Sequence, residues 1–274
     1  MSWVYLDGDF LPIEKAHISV EDRGFLFGDG VFTTIRVNQG KLEFWQAHTE
    51  RLRQHCQALN IEPPVLQMEW IEKLIQLNRA ASGVWRLKIL MTGGQSVSLG
   101  LPQRKINHLL ITLKPYAMSP FSPCRLCLFP EPMHRPLAKI KTLAYLDRLW
   151  VYDYAQQRGY DDALVSTSGG EWLEVAFSNL FWSNGEEVWI PDPILPYLTG
   201  IFWEQLSAHL SMKVHFIERG LTQMPASMAL YICNTLIHVR PVIEIEGRAL
   251  ARYPHLEKKL SQIIQKVCKL NTCE

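Results

Sequence analysis

A chain of 274 residues, 47% hydrophobic and 20% charged, has an ordinary globular composition and room for one large domain or two smaller ones. Its formal net charge of +1 comes from scattered basic residues, which gives no electrostatic case for nucleic acid or an anionic membrane as partner. The opening MSWVYLDGDFLPIEK lacks a basic lead before an apolar core, and no uninterrupted apolar run could cross a bilayer, so a cytoplasmic protein is expected.

In chain order, YLDGDFLP and IRVNQGKLEF each set turn residues between alternating apolar residues and read as hairpins. HTERLRQHCQALNI then offers Leu52, Cys56 and Leu59 at helical spacing, with Pro63-Pro64 as the stop. VLQMEWIEKLIQLNRA reads as a second amphipathic helix. In VWRLKILM, Trp85, Leu87, Ile89 and Met91 alternate with polar neighbours as in a half-buried strand, and HLLITLKP is its expected neighbour. The proline- and serine-rich YAMSPFSPC is the best linker, which places domain boundaries at 1–117, 118–123 and 124–274. Beyond it come a strand to about Pro130 and the stretch LAKIKTLAYLDRLW, where Lys139 and Lys141 would share one strand face. A helix to about Gly159 follows, then strands in DALVST, NLFWSN and VWIPD. A helix from about Gly200, strands in ALYICN and PVIEIEG and a final helix from about Pro254 complete the chain. The expected class is α/β (mixed α+β) in two domains, with a ligand-binding cleft between them.

Cysteines stand at 56, 124, 127, 233, 268 and 273, without the density of a disulfide framework. Cys124 and Cys127 have the gap of a zinc or redox pair. They lie in a strand-like run with no second pair nearby, however, so reduced thiols and no metal are expected.

Four features could carry chemistry. Lys141 stands at a junction before a helix among Leu143, Tyr145 and Trp150. A lysine there is either a solvated cation or, if its pKa is depressed, an imine-forming amine. Glu174, in EVAFSNLFW, is a carboxylate in an otherwise apolar run and needs a cationic or hydrogen-bonding partner if buried. Thr199-Gly200 opens a helix whose first N–H groups could hold phosphate. Arg51 could bind an anion, or could share a solvated helix face with His48 and His55. Together these are the partners that pyridoxal phosphate needs: an amine for its aldehyde, a carboxylate for its ring nitrogen, and N–H groups and a cation for its phosphate.

The sequence also resembles the fold-type IV pyridoxal-phosphate enzymes, which include branched-chain and D-amino-acid aminotransferases and aminodeoxychorismate lyase. FGDGVFTTIRV, AHTERLRQHCQAL, DALVSTSGGEWLEVAFSNLFW, LTGIF and ICNTLIHVRPV are similar to family segments in the family's order, spread over about residues 5–245, and look closest to the lyase. The resemblance implies a two-domain fold with pyridoxal 5'-phosphate in the interdomain cleft, and a homodimer. It gives Lys141, rather than Lys139, the Schiff-base role. Glu174 takes the pyridine nitrogen, and Arg51, the Ile201 and Phe202 N–H groups after Gly200 and the Thr235 hydroxyl take the phosphate. Ser178 and Asn179 join the cofactor residues, as does Tyr145, which lies where branched-chain aminotransferases carry a tyrosine and could equally be a core aromatic. Phe32, Thr33 and Arg36 are substrate-side candidates, although strand alternation separates Thr33 from Phe32 and Thr34.

Departures from the family pattern qualify this. Gly93 stands where relatives often have a substrate-anchoring arginine, and no arginine follows until Arg104. Ala144 replaces an asparagine, Trp203 replaces an arginine, and Arg240 is an added cation near the expected substrate loop. The implied reaction is conversion of 4-amino-4-deoxychorismate to 4-aminobenzoate and pyruvate in folate biosynthesis. The alternative is branched-chain or D-amino-acid transamination on the same fold.

Overall fold

Residues 2–96, 98–102, 104, 107–117, 122–217, 225 and 227–272 are described by a computed structural model of the chain. Cα packing divides the chain into two compact units, 1–117 with 140–145 and 271–274, and 118–139 with 146–270. Residues 118–121 of the expected linker lie outside the described residues.

In the first unit, β1 (Trp3–Leu6) and β2 (Asp9–Pro12) meet across Asp7-Gly8, and β3 (Gly30–Asn38) and β4 (Lys41–Leu42) meet across Gln39-Gly40. All four turn residues have positive φ, the geometry that matches the twist of a tight hairpin. A short helix, α1 (Arg23–Phe27), lies between the hairpins. Asp22 caps it by accepting the Phe25 N–H at 3.1 Å and left-handed Gly28 ends it, so it is too short for a periodic signal. The helices α2 (Trp45–Ala58) and α3 (Met68–Leu77) and the strands β5 (Val84–Thr92) and β6 (Leu109–Pro115) follow. α2 ends well before Pro63-Pro64, at a reversal through left-handed Asn60 where the Ile61 N–H donates back to the Cys56 carbonyl. The sheet order is β2-β1-β6-β5-β3-β4. Val31, Ile35, Leu87, Ile89 and Ile111 face Leu52, Cys56, Ile71 and Leu74 in one core cluster. Each such aliphatic side chain contributes roughly 1.5–3 kcal/mol by burial.

The second unit holds β7 (Cys124–Leu128), α4 (Leu146–Gln157), β8 (Asp162–Ser166), β9 (Trp172–Val175), β10 (Asn179–Ser183), β11 (Val188–Pro191), α5 (Ile201–Ser207), β12 (Val214–Ile217), β13 (Ala229–Asn234), β14 (His238–Ile245), β15 (Arg248–Ala249) and α6 (Pro254–Leu270). Its sheet runs β12-β11-β10-β13-β14-β7-β8-β9, with β15 on β14. β7 is parallel to β8 and β14, while β8–β9, β10–β13 and β13–β14 are antiparallel, a mixed sheet as the class requires.

EVAFSNLFW is divided between β9 and β10. The chain breaks at Ala176–Ser178, where the Ala176 N–H turns to Asp162 Oδ1 at 3.0 Å instead of a neighbouring strand. One local reading needs correction. Lys139 and Lys141 do not share a strand face. Residues 136–139 form turns, whereas Thr142 bridges antiparallel to Val31. Among the described residues no helix is long and apolar enough to cross a membrane.

Candidate active site

The segment at residues 141–143 extends the first sheet along β3. The Phe32 N–H donates to the Lys141 carbonyl at 3.0 Å and the Leu143 N–H to the Gly30 carbonyl at 2.9 Å. Glycines permit this approach. A Cβ on Gly28 would stand 2.8 Å from Ala144 Cα, and one on Gly30 2.5 Å from Leu143 Cδ1.

Lys141 is half-buried, with Nζ 3.4 Å from the Tyr145 hydroxyl and 4.7 Å from the Phe32 ring centroid. Tyr145 meets Phe32 edge to face at 5.1 Å, so its ring packs while its hydroxyl stays beside the amine. Lys139, by contrast, is exposed and donates to the Pro193 carbonyl at 2.8 Å.

The α2 face carrying His48, Arg51 and His55 is not a solvated face. His48 is fully buried with Nδ1 2.6 Å from Thr33 Oγ1, and His55 Nδ1 accepts the Lys141 backbone N–H at 3.1 Å. Burial, then the charges of Arg51 and Lys141, hold His48 well below its ordinary range and lower His55 to about 4. Both imidazoles are therefore neutral at physiological pH. Together they report two cations, Arg51 and Lys141, in one neighbourhood.

The substrate-side candidates separate. Phe32 faces Lys141, whereas Thr33 points to the opposite face of β3 and is engaged by His48. Arg36 is buried with its Nε 3.6 Å from Glu43 Oε1, so its charge is already matched. Arg240 is also engaged, donating to the Ser122 and Pro123 carbonyls at 2.9 and 3.1 Å and pairing with Asp161 at 3.3 Å. These contacts tie Thr33, Arg36 and Arg240 to neighbouring groups of the fold. Lys88, which sequence reading passed over as the polar face of β5, has Nζ 4.2 Å from the Phe32 ring. Burial, then Arg86 and Lys114, lower its pKa. Strand alternation alone could place it opposite Thr34, but not beside Phe32.

In the second unit Glu174 is buried at 2% exposure, and both of its ion pairs land on one oxygen. Arg148 reaches Oε1 at 2.7 Å and Arg135 at 3.1 Å, while Arg135 also pairs with Asp147 and Arg148 donates to the Ala176 carbonyl at 3.0 Å. Two guanidiniums offset the desolvation of a single carboxylate. No arginine is paired with Oε2 among the described residues.

The turn after Glu174 is bound to two other loops. Asn179 Nδ2 donates to the Leu198 carbonyl at 2.7 Å, and its Oδ1 occupies the space a Cβ on Gly200 would need. Gly200 precedes α5, so the Ile201 and Phe202 N–H groups lie in a first turn without intrahelical acceptors. Ser178 Oγ accepts from Asn234 Nδ2 at 2.9 Å, and Asn234 Oδ1 accepts the Leu236 and Ile237 N–H groups, which shapes the turn carrying Thr235. Asn234 is thus an organising residue that no motif singled out. Trp203 is a core residue, 5% exposed and packed on Phe181 at 5.2 Å.

Gly93 lies against Asp29. A Cβ there would stand 2.7 Å from Asp29 Oδ2, the oxygen that Arg104 Nη1 and Arg23 Nε reach at 2.5 and 2.6 Å. Arg104 therefore returns to the neighbourhood of Gly93 but spends its charge on Asp29. Cys56, Cys124 and Cys127 are buried. Burial pushes Cys56 and Cys124 up to about 12 and Cys127 up to about 11, so they stay protonated thiols.

A half-buried lysine beside a tyrosine hydroxyl in the first unit, and in the second a buried carboxylate whose arginine hydrogen bonds fall on one oxygen and a helix start opened by glycine, fit the chemistry of a phosphorylated pyridine aldehyde. The model of the family described as amino-transferase class IV matches residues 30–245. Over 275 residues, covering 94% of both chains, the sequence is 26% identical to a putative branched-chain-amino-acid aminotransferase of Methanocaldococcus jannaschii. It is 23% identical over 251 residues to the aminodeoxychorismate lyase of Vibrio harveyi, covering 86% of this chain and 90% of the other. The PLP-bound form of a hypothetical aminotransferase from Mycobacterium tuberculosis superposes with a TM-score of 0.81 at 18% identity, covering 97% of this chain and 98% of that one. With more than half of its length matched, the chain belongs to the class IV aminotransferase family and is a pyridoxal-5'-phosphate-dependent enzyme, aminotransferase or lyase, with small-molecule substrates.

Proposed function

We propose that this enzyme is a 4-amino-4-deoxychorismate lyase, which eliminates pyruvate to leave 4-aminobenzoate for folate biosynthesis. When bound, pyridoxal phosphate supplies the electron sink. Lys141 would provide the amine that holds the cofactor and, as a free amine, the base for the proton on the amine-bearing ring carbon. Glu174 Oε2 takes the pyridine nitrogen, and Tyr145 orients the Lys141 amine through the 3.4 Å contact. Arg51, the Ile201 and Phe202 N–H groups and the Thr235 hydroxyl bind phosphate, and Ser178 and Asn179 hold the turn that presents them. Phe32 and the desolvated Lys88 take the substrate ring and a carboxylate.

Gly93 is the observation that carries the lyase reading over D-amino-acid transamination. The Asp29 carboxylate crowds the place where a Cβ on Gly93 would stand, in keeping with a glycine rather than an anchoring arginine there. Branched-chain transamination is the second reading, favoured by the Tyr145 hydroxyl beside Lys141. The proposed domains are 1–117 and 124–274 about a linker at 118–123. The proposed assembly is a cytoplasmic homodimer, supported by exposed apolar side chains on α1 (Phe25, Leu26, Phe27) and α4 (Leu146, Leu149, Trp150).

The test is 4-aminobenzoate release from 4-amino-4-deoxychorismate by wild type and Lys141→Ala, beside glutamate formation from a panel of amino acids with 2-oxoglutarate. Release by wild type alone supports the lyase. Rapid glutamate formation without aminobenzoate replaces it with the aminotransferase.

A further inference from the structure

The backbone of Lys141 is gripped on both sides. Its carbonyl accepts the Phe32 N–H at 3.0 Å from β3, and its own N–H donates to His55 Nδ1 at 3.1 Å from α2. The first contact extends an ordinary sheet ladder. The second is a side chain reaching across to a backbone group, and it works only while the imidazole nitrogen has a free lone pair. His55 is one helical turn beyond Arg51, on the same face of α2, so one helix presents both the proposed phosphate cation and the acceptor for the lysine backbone.

We infer that His55 is a positioning residue for Lys141: it fixes the lysine backbone through its neutral Nδ1, so that the side chain swings from a pinned root. This rests on the assignment of Lys141 as the cofactor-binding amine. A pinned root confines the amine to a few rotamers, and its reach to an aldehyde becomes a matter of rotamer choice rather than of loop motion. The surroundings keep the acceptor available. Burial first, then the Arg51 charge on its own helix and the Lys141 charge on the facing segment, lower His55 to about 4. At neutral pH the proton of the ring is on Nε2. Only as pH falls through the native value does Nδ1 become a donor and release the Lys141 N–H.

Hydrogen–deuterium exchange and reductive trapping on the full chain test this. In the cofactor-free chain, His55→Leu is expected to speed exchange of the Lys141 amide about tenfold, as loss of one buried hydrogen bond implies, and His55→Asn, which keeps an acceptor, to restore protection. When pyridoxal phosphate is added and samples are quenched with borohydride, His55→Leu should also slow its capture on Lys141 about tenfold, with His55→Asn close to wild type. Should His55→Leu fold poorly, the wild type and His55→Asn suffice. Wild-type protection, corrected for intrinsic exchange, should fall as pH approaches 4, and His55→Asn should not follow it. Unchanged exchange in His55→Leu, no acid step in the wild type, or altered exchange with unaltered capture would each overturn the inference. Failure of the wild type itself to capture cofactor would instead sink the proposed function, and this inference with it.

Discussion

Arg148 and Arg135 converge on a single oxygen of Glu174, at 2.7 and 3.1 Å. The two guanidiniums offset the cost of burying the carboxylate, and the proposed cofactor contact falls to its other oxygen. Glu174→Gln should therefore lower turnover by about a hundredfold or more, as loss of a fixed charge at a developing charge does. Arg148→Met should leave the carboxylate with one partner and lower stability by about 2 kcal/mol, less than the full loss of a buried pair because Arg135 remains. Urea unfolding measures the second effect. A midpoint unchanged from wild type would mean that Arg148 does not hold Glu174.

Tyr145 combines a packed ring with a hydroxyl 3.4 Å from Lys141 Nζ. Phenylalanine keeps the packing against Phe32 and removes only the oxygen. Tyr145→Phe is expected to fold as wild type, to trap cofactor at Lys141 with borohydride, and to turn over about tenfold more slowly, the scale of one lost hydrogen bond. Wild-type turnover would reduce Tyr145 to a core aromatic.

Lys88 flanks the same Phe32 ring at 4.2 Å, and its half-buried ammonium has no acidic partner among its ion pairs in the described residues. Such a cation is costly unless an anion completes it. Lys88→Met should raise KM for the carboxylate substrate about tenfold or more with little change in kcat, and Lys88→Arg should keep most of the binding. Steady-state kinetics separates the two parameters. An effect on kcat alone would assign Lys88 a different role.

Elements with long or strict periods were legible before the structure. The alternation of Trp85, Leu87, Ile89 and Met91 gives β5, and the apolar stripe from Leu256 to Val267 gives α6, because each pattern is the core-facing side of one element. α1 was not legible, being a five-residue helix defined by a cap and a left-handed glycine. The break after Glu174 was not legible either, because it depends on Asp162 withdrawing the N–H of Ala176, 14 positions downstream, from the sheet. In the candidate site, Lys141 and Glu174 stand out as charges in apolar surroundings. His55 and Asn234 do not, since each acts on a distant segment, His55 on the Lys141 N–H and Asn234 on the Phe177 carbonyl, that no local spacing can reveal. Arg240 shows the converse: a conspicuous cation whose partners include Asp161 and the carbonyls of Ser122 and Pro123.

Asp162 makes the pH behaviour of the second unit testable. Its Oδ1 accepts the Ala163 and Ala176 N–H groups at 2.8 and 3.0 Å, yet burial outweighs these bonds and the charge of Arg240, and its carboxyl is pushed up to about 7. The native value lies above the usual carboxylate range of the unfolded chain. Between the two, the native protein binds a proton that the unfolded one does not, so this group favours folding as pH falls from 7 towards 4 and opposes it above 7. Asparagine keeps the Oδ1 acceptor and cannot ionise. Measured by urea unfolding, the stability of Asp162→Asn relative to wild type should be more favourable at pH 8 than at pH 5, by on the order of 1–3 kcal/mol. The depressed histidines, His48 and His55, titrate alike in both proteins and cancel in that difference. A relative stability that is flat between the two pH values would mean that Asp162 is ionised throughout, with its backbone donors outweighing burial.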